Sequence, residues 1–450
     1  MNIALVNPAW EFSGSIYFGC REPHLPLEYG YARTLLEAAG HRVTIVDGQL
    51  DGLTEDQIVG QVAALRPDLT VLTTAPSYLF WRCAPPELRV PMRLARRLRP
   101  VGGWLVAVGP HGSSTPEATL RKLAVDLVVM GECEEVLVAV AGALGSDQAS
   151  LPGALEGVAS ICLERAGVPV RQGSTASVNM ATLPALRWPE ATLARHHHHH
   201  HRFDVPPRGP GAEMEVSRGC PYRCSFCAKE NFRNKYRKRP LGVILEELDG
   251  LLRAGVQYVY FIDEIFLPDR ALLEALVARR EDAALPGHGF TFGVQTRIDL
   301  WDAAELALLG RAGCVSIEAG IESITAEGRQ LLDKRCKLDT EQLAGLLIEA
   351  KRHVPFVQAN LLEAGTDDPA AIDAWRDHLI AHGVWANTPV PLFPYPGSPD
   401  YTRLWGKPDE MAWERAHAHY LAHFQQFSDI QDDAPVPLPD LERAIEALPA

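Results

Sequence analysis

Ser217-Arg218-Gly219-Cys220-Pro221-Tyr222-Arg223-Cys224-Ser225-Phe226-Cys227 decides how the rest of this chain is read. Three cysteines, separated by three and then two residues, follow directly on a strand-like run from Ala212 to Ser217. A short loop of this kind can aim three thiolates at one iron–sulfur cube, the common meaning of such spacing. Three ligands leave one iron of a four-iron cluster open to a ligand from outside the protein. The alternatives are a zinc site or buried thiols. Zinc asks for a fourth Cys or a His at matching spacing, and none follows closely.

The 450 residues have room for two or three domains, and 47% of them are hydrophobic, ample for ordinary packed cores. The other cysteines (Cys20, Cys83, Cys133, Cys162, Cys314, Cys336) are scattered without a pairing rhythm. With an oxygen-sensitive cluster, that pattern predicts a reducing cytoplasm rather than a disulfide framework. Met1 to Asn7 lacks the basic start of a secretory signal, and no run approaches the roughly 18 apolar residues that span a bilayer. A soluble, cytoplasmic protein is expected. The net charge of −14 disfavours nucleic acid and mildly favours cationic partners. Lys229 to Arg239 is a local exception with six basic residues. It reads as a solvated loop or as a docking surface for an acidic electron donor.

Residues 1–146 alternate strand and helix patterns. Ile3–Val6, Val43–Val46, Leu69–Leu72, Leu105–Val108 and Leu127–Val129 are apolar runs suited to buried parallel strands, with helical stretches such as Glu28–Ala39 and Thr54–Ala64 between them. The expectation is a doubly wound α/β domain. Residues 147–210 are punctuated by prolines and read as a connector with a small ribbon near Gly157–Leu163. They also contain the six-histidine run His196–His201, where metal binding is chemically easy but low complexity is the plainer reading. Residues 211–400 give six candidate strands: Ala212–Ser217, Gln257–Ile262, Phe290–Thr296, Val315–Ala319, Phe356–Leu362 and Asn387–Phe393. Helical stretches separate them, predicting a partial (β/α)6 barrel with its active site at the strand C-termini. Residues 401–450, with Trp413, Tyr420 and Phe424, are expected to cap one barrel opening.

The cysteine loop resembles the signature of the radical S-adenosylmethionine (SAM) superfamily. In that family SAM chelates the open iron of a 4Fe-4S cluster and is cleaved to a 5′-deoxyadenosyl radical. Phe261-Ile262-Asp263-Glu264-Ile265-Phe266, Gln295-Thr296-Arg297, Gly320-Ile321-Glu322-Ser323 and Tyr395-Pro396-Gly397-Ser398-Pro399 resemble further family segments, in order and at strand ends. The resemblance implies that Tyr222 and Phe226 border cluster and adenine, and that Gln295, Arg297, Glu318 and Glu322 contact SAM or substrate. The family's glycine-glycine-glutamate turn, which takes the methionine amino group, is not evident. Asp263-Glu264 stands in its place.

The first domain resembles the cobalamin-binding domain that often precedes such a barrel, through Val108-Gly109-Pro110-His111-Gly112-Ser113-Ser114 and Val125 to Glu132. The Asp-x-His-x-x-Gly motif that supplies a histidine to cobalt is absent, and the matching loop reads Asn7-Pro8-Ala9-Trp10-Glu11-Phe12-Ser13-Gly14. Bulky aromatics lie at Tyr78 to Trp81. A domain that keeps the fold and binds cobalamin weakly or not at all is expected, with the cofactor left undecided. Arg21 to Tyr29 resembles the family's entry segment, with Glu22 and His24 as active-site candidates.

Two reactions remain open. The chain as a whole is similar to radical SAM enzymes that deoxygenate an aminosugar ring in apramycin-type aminoglycoside biosynthesis, which implies dehydration of a vicinal diol. Asp263, Glu264, Glu318 and Glu363, with Glu322, are then the acids that anchor an ammonium and move protons. The alternative is cobalamin-dependent C-methylation of a natural-product intermediate. Expected partners are a cationic aminosugar, a flavodoxin-like or other electron donor and a downstream NAD(P)H reductase. An RNA-modifying methylthiotransferase is disfavoured by charge and by the missing RNA module. The intact cysteine loop argues against a non-catalytic binding protein.

Overall fold

The structure, a computed structural model, describes residues 1–16, 23–77, 84–145, 151–196, 209–228, 234–285, 288–423 and 435–443. The chain forms two compact units. One is Met1–Asn179 with Ala228–Arg233 and Phe393–Ala450; the other is Met180–Cys227 with Asn234–Leu392. The expected connector 147–210 is therefore shared between them.

In the first unit β1 (Asn2–Asn7), β2 (Arg42–Asp47), β3 (Leu69–Thr73), β4 (Trp104–Val108) and β5 (Leu127–Val129) run parallel in the order β2-β1-β3-β4-β5. Val- and Leu-rich runs suit a sheet covered by helices on both faces. Thr54 starts the helix Glu55–Leu65 with a capping box to Gln57, and left-handed Arg66 ends it. β6 (Ile161–Arg165) and β7 (Val168–Gln172) continue the sheet antiparallel, so the ribbon expected near Gly157–Leu163 belongs to this sheet. Strand order reverses between β1 and β3, which places the ligand crevice of such a sheet beyond Asn7 and Thr73.

The C-terminal segment packs within this first unit. Phe393, Tyr401, Trp413 and Tyr420 share one apolar cluster with Ile16, Ala75 and Ala84, which lie after β1 and β3. Lys122 pairs with Glu414 and, at 2.9 Å, with Glu442. The Val436 N–H donates to the Gly14 carbonyl at 2.8 Å. Aromatic residues at helical spacing specify burial but not which surface buries them. Phe424 lies outside the described residues.

In the second unit β8 (Gly211–Met214) leads into β9 (Ser217–Arg218), which pairs antiparallel with β10 (Arg237–Lys238). β8 joins β11 (Tyr258–Phe261), β12 (Thr291–Thr296), β13 (Cys314–Glu322), β14 (Phe356–Leu361) and β15 (Trp385–Ala386) in an all-parallel sheet ordered β15-β14-β13-β12-β11-β8. This is the expected six-stranded parallel barrel sheet. The sixth strand, however, is two residues long and precedes the expected Asn387–Phe393. Pro389 and Pro391 have no N–H to give a ladder, and only the single bridge Leu362–Val390 forms there. No helix among the described residues is long and apolar enough to cross a membrane.

Candidate active site at the cysteine loop

The loop is held at its base by carboxylates from the end of β11. Asp263, 1% exposed, accepts the Val216 N–H at 3.2 Å and both the N–H and hydroxyl of Ser217. Glu264 accepts the Gly219 N–H at 2.8 Å. Gly219 sits at φ +79°, a conformation that favours glycine and turns the chain into the loop. Fully buried Arg218 donates to Glu215 at 2.8 and 2.9 Å. Asp263 and Glu264, expected as catalytic acids, are thus committed to backbone N–H groups leading into Cys220.

Beyond them Cys224 is buried, with Cys220 and Cys227 partly exposed. The Ser225 N–H donates to the Leu332 carbonyl at 2.9 Å, tying the loop to the turn after the helix Ala326–Leu331. Among the described residues no three His, Cys, Asp or Glu groups converge enough to hold one metal ion. A cube takes one thiolate per iron and spreads its sulfurs wider than a single ion does. Three cysteine thiolates, one for each of three irons, are a donor set that fits the cluster.

Cationic groups gather beside the loop. The Arg297 guanidinium lies 3.9 Å from the Tyr222 ring centroid, pairs with Asp299 at 2.8 Å and donates to the Lys334 carbonyl at 2.6 Å. The Lys334 ammonium donates to the Gly320 carbonyl at 2.8 Å and pairs with Glu322. Burial pushes the Cys224 thiol up, while Lys334 and Arg297 pull it down. Burial also raises Asp299, but its pairing with Arg297 outweighs this and holds it below the ordinary value. Glu322 has φ +64° beside an irregularity in the β13–β14 register. Lys334 and Asp299 were not legible as site residues. A lysine in a polar turn gives no sign that it will be 2% exposed.

The other expected residues divide. Gln295 and Glu318 are register partners on β12 and β13. Phe226 is partly buried on the loop. Glu363 is exposed beyond β14, its N–H bonded to the Val390 carbonyl. Of the basic run, Arg239 is buried against Glu247 at 2.7 Å and Lys238 pairs with Asp269, so these two serve structure. His196 is buried 3.2 Å from Glu213. His197–His201, Glu22, Tyr78–Cys83 and Lys229–Arg233 lie outside the described residues.

At the crevice of the first unit His111 is fully buried. Its ring nitrogens lie 3.2 Å from the Thr74 hydroxyl and 2.9 Å from the Pro85 carbonyl, and its ring centroid lies 4.4 Å from that of Trp413. Burial pushes its pKa down to about 3, so the imidazole is neutral. The Trp413 indole N–H donates to Thr115 at 3.0 Å. Gly109, at φ +131°, has Thr74 Oγ1 2.4 Å from where a Cβ would stand. Its missing side chain makes room for the chain itself rather than for an outside group.

Residues 214–362 match the Radical SAM superfamily and residues 21–141 the B12 binding domain. An uncharacterized methyltransferase of Pyrococcus horikoshii is 24% identical over 74% of this chain and 68% of its own length. The anaerobic magnesium-protoporphyrin IX monomethyl ester cyclase of Rubrivivax gelatinosus is 22% identical over 78% and 60%. Among solved structures, the radical SAM methyltransferase TsrM of Kitasatospora setae, with cobalamin and a 4Fe-4S cluster, superposes with a TM-score of 0.69 at 19% identity. That match covers 88% of this chain and 76% of TsrM. The cobalamin-dependent SAM radical enzyme OxsB gives 0.65 at 16% over 92% and 66%. At these identities the structural likeness establishes fold alone. With the cysteine loop intact, the chain carries two matched domains in this order, a B12-binding-type domain and then a radical SAM domain, the domain type that uses a 4Fe-4S cluster and SAM.

Proposed function

We propose that this radical SAM enzyme takes a hydrogen atom from a small, amino-bearing polyhydroxylated metabolite and that the resulting radical loses water. Bound SAM, reduced through the cluster, supplies the hydrogen-abstracting radical. The chain's own part is to hold the cluster loop rigid through Asp263 and Glu264 and to surround it with Arg297, Lys334 and Glu322. Abstraction at one carbon of a vicinal diol leaves a hydroxyl-bearing radical. Loss of the hydroxyl proton and of the neighbouring hydroxide as water gives a radical next to a carbonyl. One electron from an external donor and one proton complete a deoxy-ketone, lighter than the diol by one water. A separate NAD(P)H-dependent reductase would then reduce the carbonyl to a hydroxyl, completing the net deoxygenation.

The observation that carries water loss over methyl transfer is the Trp413–His111 contact in the crevice of the first unit. Methyl transfer is the second reading. The names of the relatives support it better, since the Pyrococcus protein and TsrM are both methyltransferases. Anaerobic incubation with SAM, a strong reductant and an aminosugar bearing a vicinal diol should release 5′-deoxyadenosine and a product lighter by one water. The Cys224→Ala variant should release neither. A product heavier by one methylene, formed only when cobalamin is added, would establish methyl transfer instead.

A further inference from the structure

We infer that Lys334 sets the ease with which the cluster takes up its electron: its buried ammonium, fixed in the turn behind the cysteine loop, stabilises the reduced cluster and raises its potential. The inference holds for either fate of the substrate radical, since both begin with that electron. The turn after the helix Ala326–Leu331 folds back on the loop, where the Leu332 carbonyl accepts the Ser225 N–H at 2.9 Å. Asp333 and Arg335 are left-handed, at φ +45° and +52°, a conformation that side-chain-bearing residues adopt at a cost. Between them Lys334 is 2% exposed, whereas the Arg335 side chain is 66% exposed. The turn thus sends the lysine inward and leaves the arginine in water.

Lys334 is held from three sides. Its N–H donates to the Arg329 carbonyl at 2.9 Å, and its own carbonyl accepts the Arg297 guanidinium at 2.6 Å. Its ammonium donates to the Gly320 carbonyl at 2.8 Å and pairs with Glu322. Arg297 in turn lies 3.9 Å from the ring centroid of Tyr222, between Cys220 and Cys224 in the chain. Both cations act on the Cys224 thiol across this turn. A charge removed from water is screened far less than one at the surface. The potential of an iron–sulfur cluster follows net charge, hydrogen bonds to its sulfurs and exposure. Reduction adds negative charge, which a fixed neighbouring cation favours and a neighbouring carboxylate opposes. Lys334 and Glu322 therefore pull the potential in opposite directions, and removing one or the other should shift it with opposite sign. A purely structural role would give no such reversal.

The test is a redox titration of the full-length, cluster-loaded enzyme without SAM or substrate, following the reduced cluster by electron paramagnetic resonance. At the wild-type midpoint, Lys334→Gln should hold at least about tenfold less reduced than oxidised cluster, a shift of about 59 mV to lower potential for one electron. Lys334→Arg should stay near wild type, and Glu322→Gln should shift to higher potential. Arg335→Gln, which removes an exposed charge from the same turn, should move it little. An intact cluster at the wild-type potential in Lys334→Gln, or shifts of the same sign in Lys334→Gln and Glu322→Gln, would overturn the inference. If Lys334→Gln retains no cluster, Glu322→Gln decides alone, and a potential at or below wild type overturns it as well.

Discussion

A carboxylate withdrawn from water must find donors or take up a proton, and Asp263 does part of both. Burial, partly offset by Ser217 and Val216, pushes its pKa to about 7. Its value to the enzyme lies in fixing residues 216 and 217, three positions before the first cysteine. Asp263→Asn puts an amide N–H₂ among groups that are themselves donors, leaving one or more unsatisfied at about 1–3 kcal/mol each. Iron and sulfide per chain should stay near wild type while SAM cleavage falls roughly 10- to 100-fold, since 1.4 kcal/mol is a factor of ten. Wild-type cleavage in Asp263→Asn would remove the positioning role.

Glu87 makes the matching case in the first unit. Only 4% exposed, it accepts the Ser15 hydroxyl at 3.2 Å, and burial raises its pKa to about 7. Its folded pKa lies above the unfolded value. The penalty for burying its charge is therefore complete above pH 7 and is relieved as pH falls from about 7 toward the ordinary carboxylate range. A shift of that size is worth roughly 3 kcal/mol. In denaturant titrations of the apoprotein, wild type should gain stability relative to Glu87→Gln on going from pH 8 to pH 5. A pH-independent difference would show that the folded and unfolded pKa values coincide.

At the scale of elements, legibility followed local signal. Runs such as Leu127–Val129 became strands at the expected residues, and helices whose caps are written in the sequence, such as Glu55–Leu65 behind Thr54, formed where expected. The helix Pro369–Ala381 went unread although Asp368 and Pro369 mark its start. The cysteine loop was legible because spacing along the chain nearly fixes its geometry. Its supports were not: Asp263, Glu264 and Lys334 reach the loop from other strands and turns, and only the register of β8, β11 and β13 brings them there. Reading Asp263 and Glu264 as catalytic acids was reasonable for carboxylates at a barrel strand end. In the structure three backbone N–H groups bond to the two carboxylates.

For the molecule as a whole, the decisive relation is between the first unit's sheet and the end of the chain. A doubly wound sheet offers its ligand crevice where strand order reverses, and there Ile16, Ala75 and Ala84 meet Trp413, Ala416 and Tyr420 in an apolar cluster. Burying a tryptophan and several other aromatic or small side chains at one place is worth several kcal/mol, and truncating such a ring to alanine costs roughly 3–5 kcal/mol. On the reading proposed above, this packing, with the His111 contacts to Thr74 and Pro85, holds the crevice closed to a corrinoid. Protein reconstituted anaerobically with iron, sulfide and hydroxocobalamin, then desalted, should therefore hold well under one corrinoid per chain. Its SAM cleavage rate should be the same with and without the added corrinoid. Trp413→Ala is the variant in which uptake would first rise, visible as the corrin absorbance travelling with the protein. A stoichiometric corrin spectrum on the wild-type protein would mean that the crevice opens despite Trp413, and methyl transfer would then replace water loss as the reaction of this enzyme.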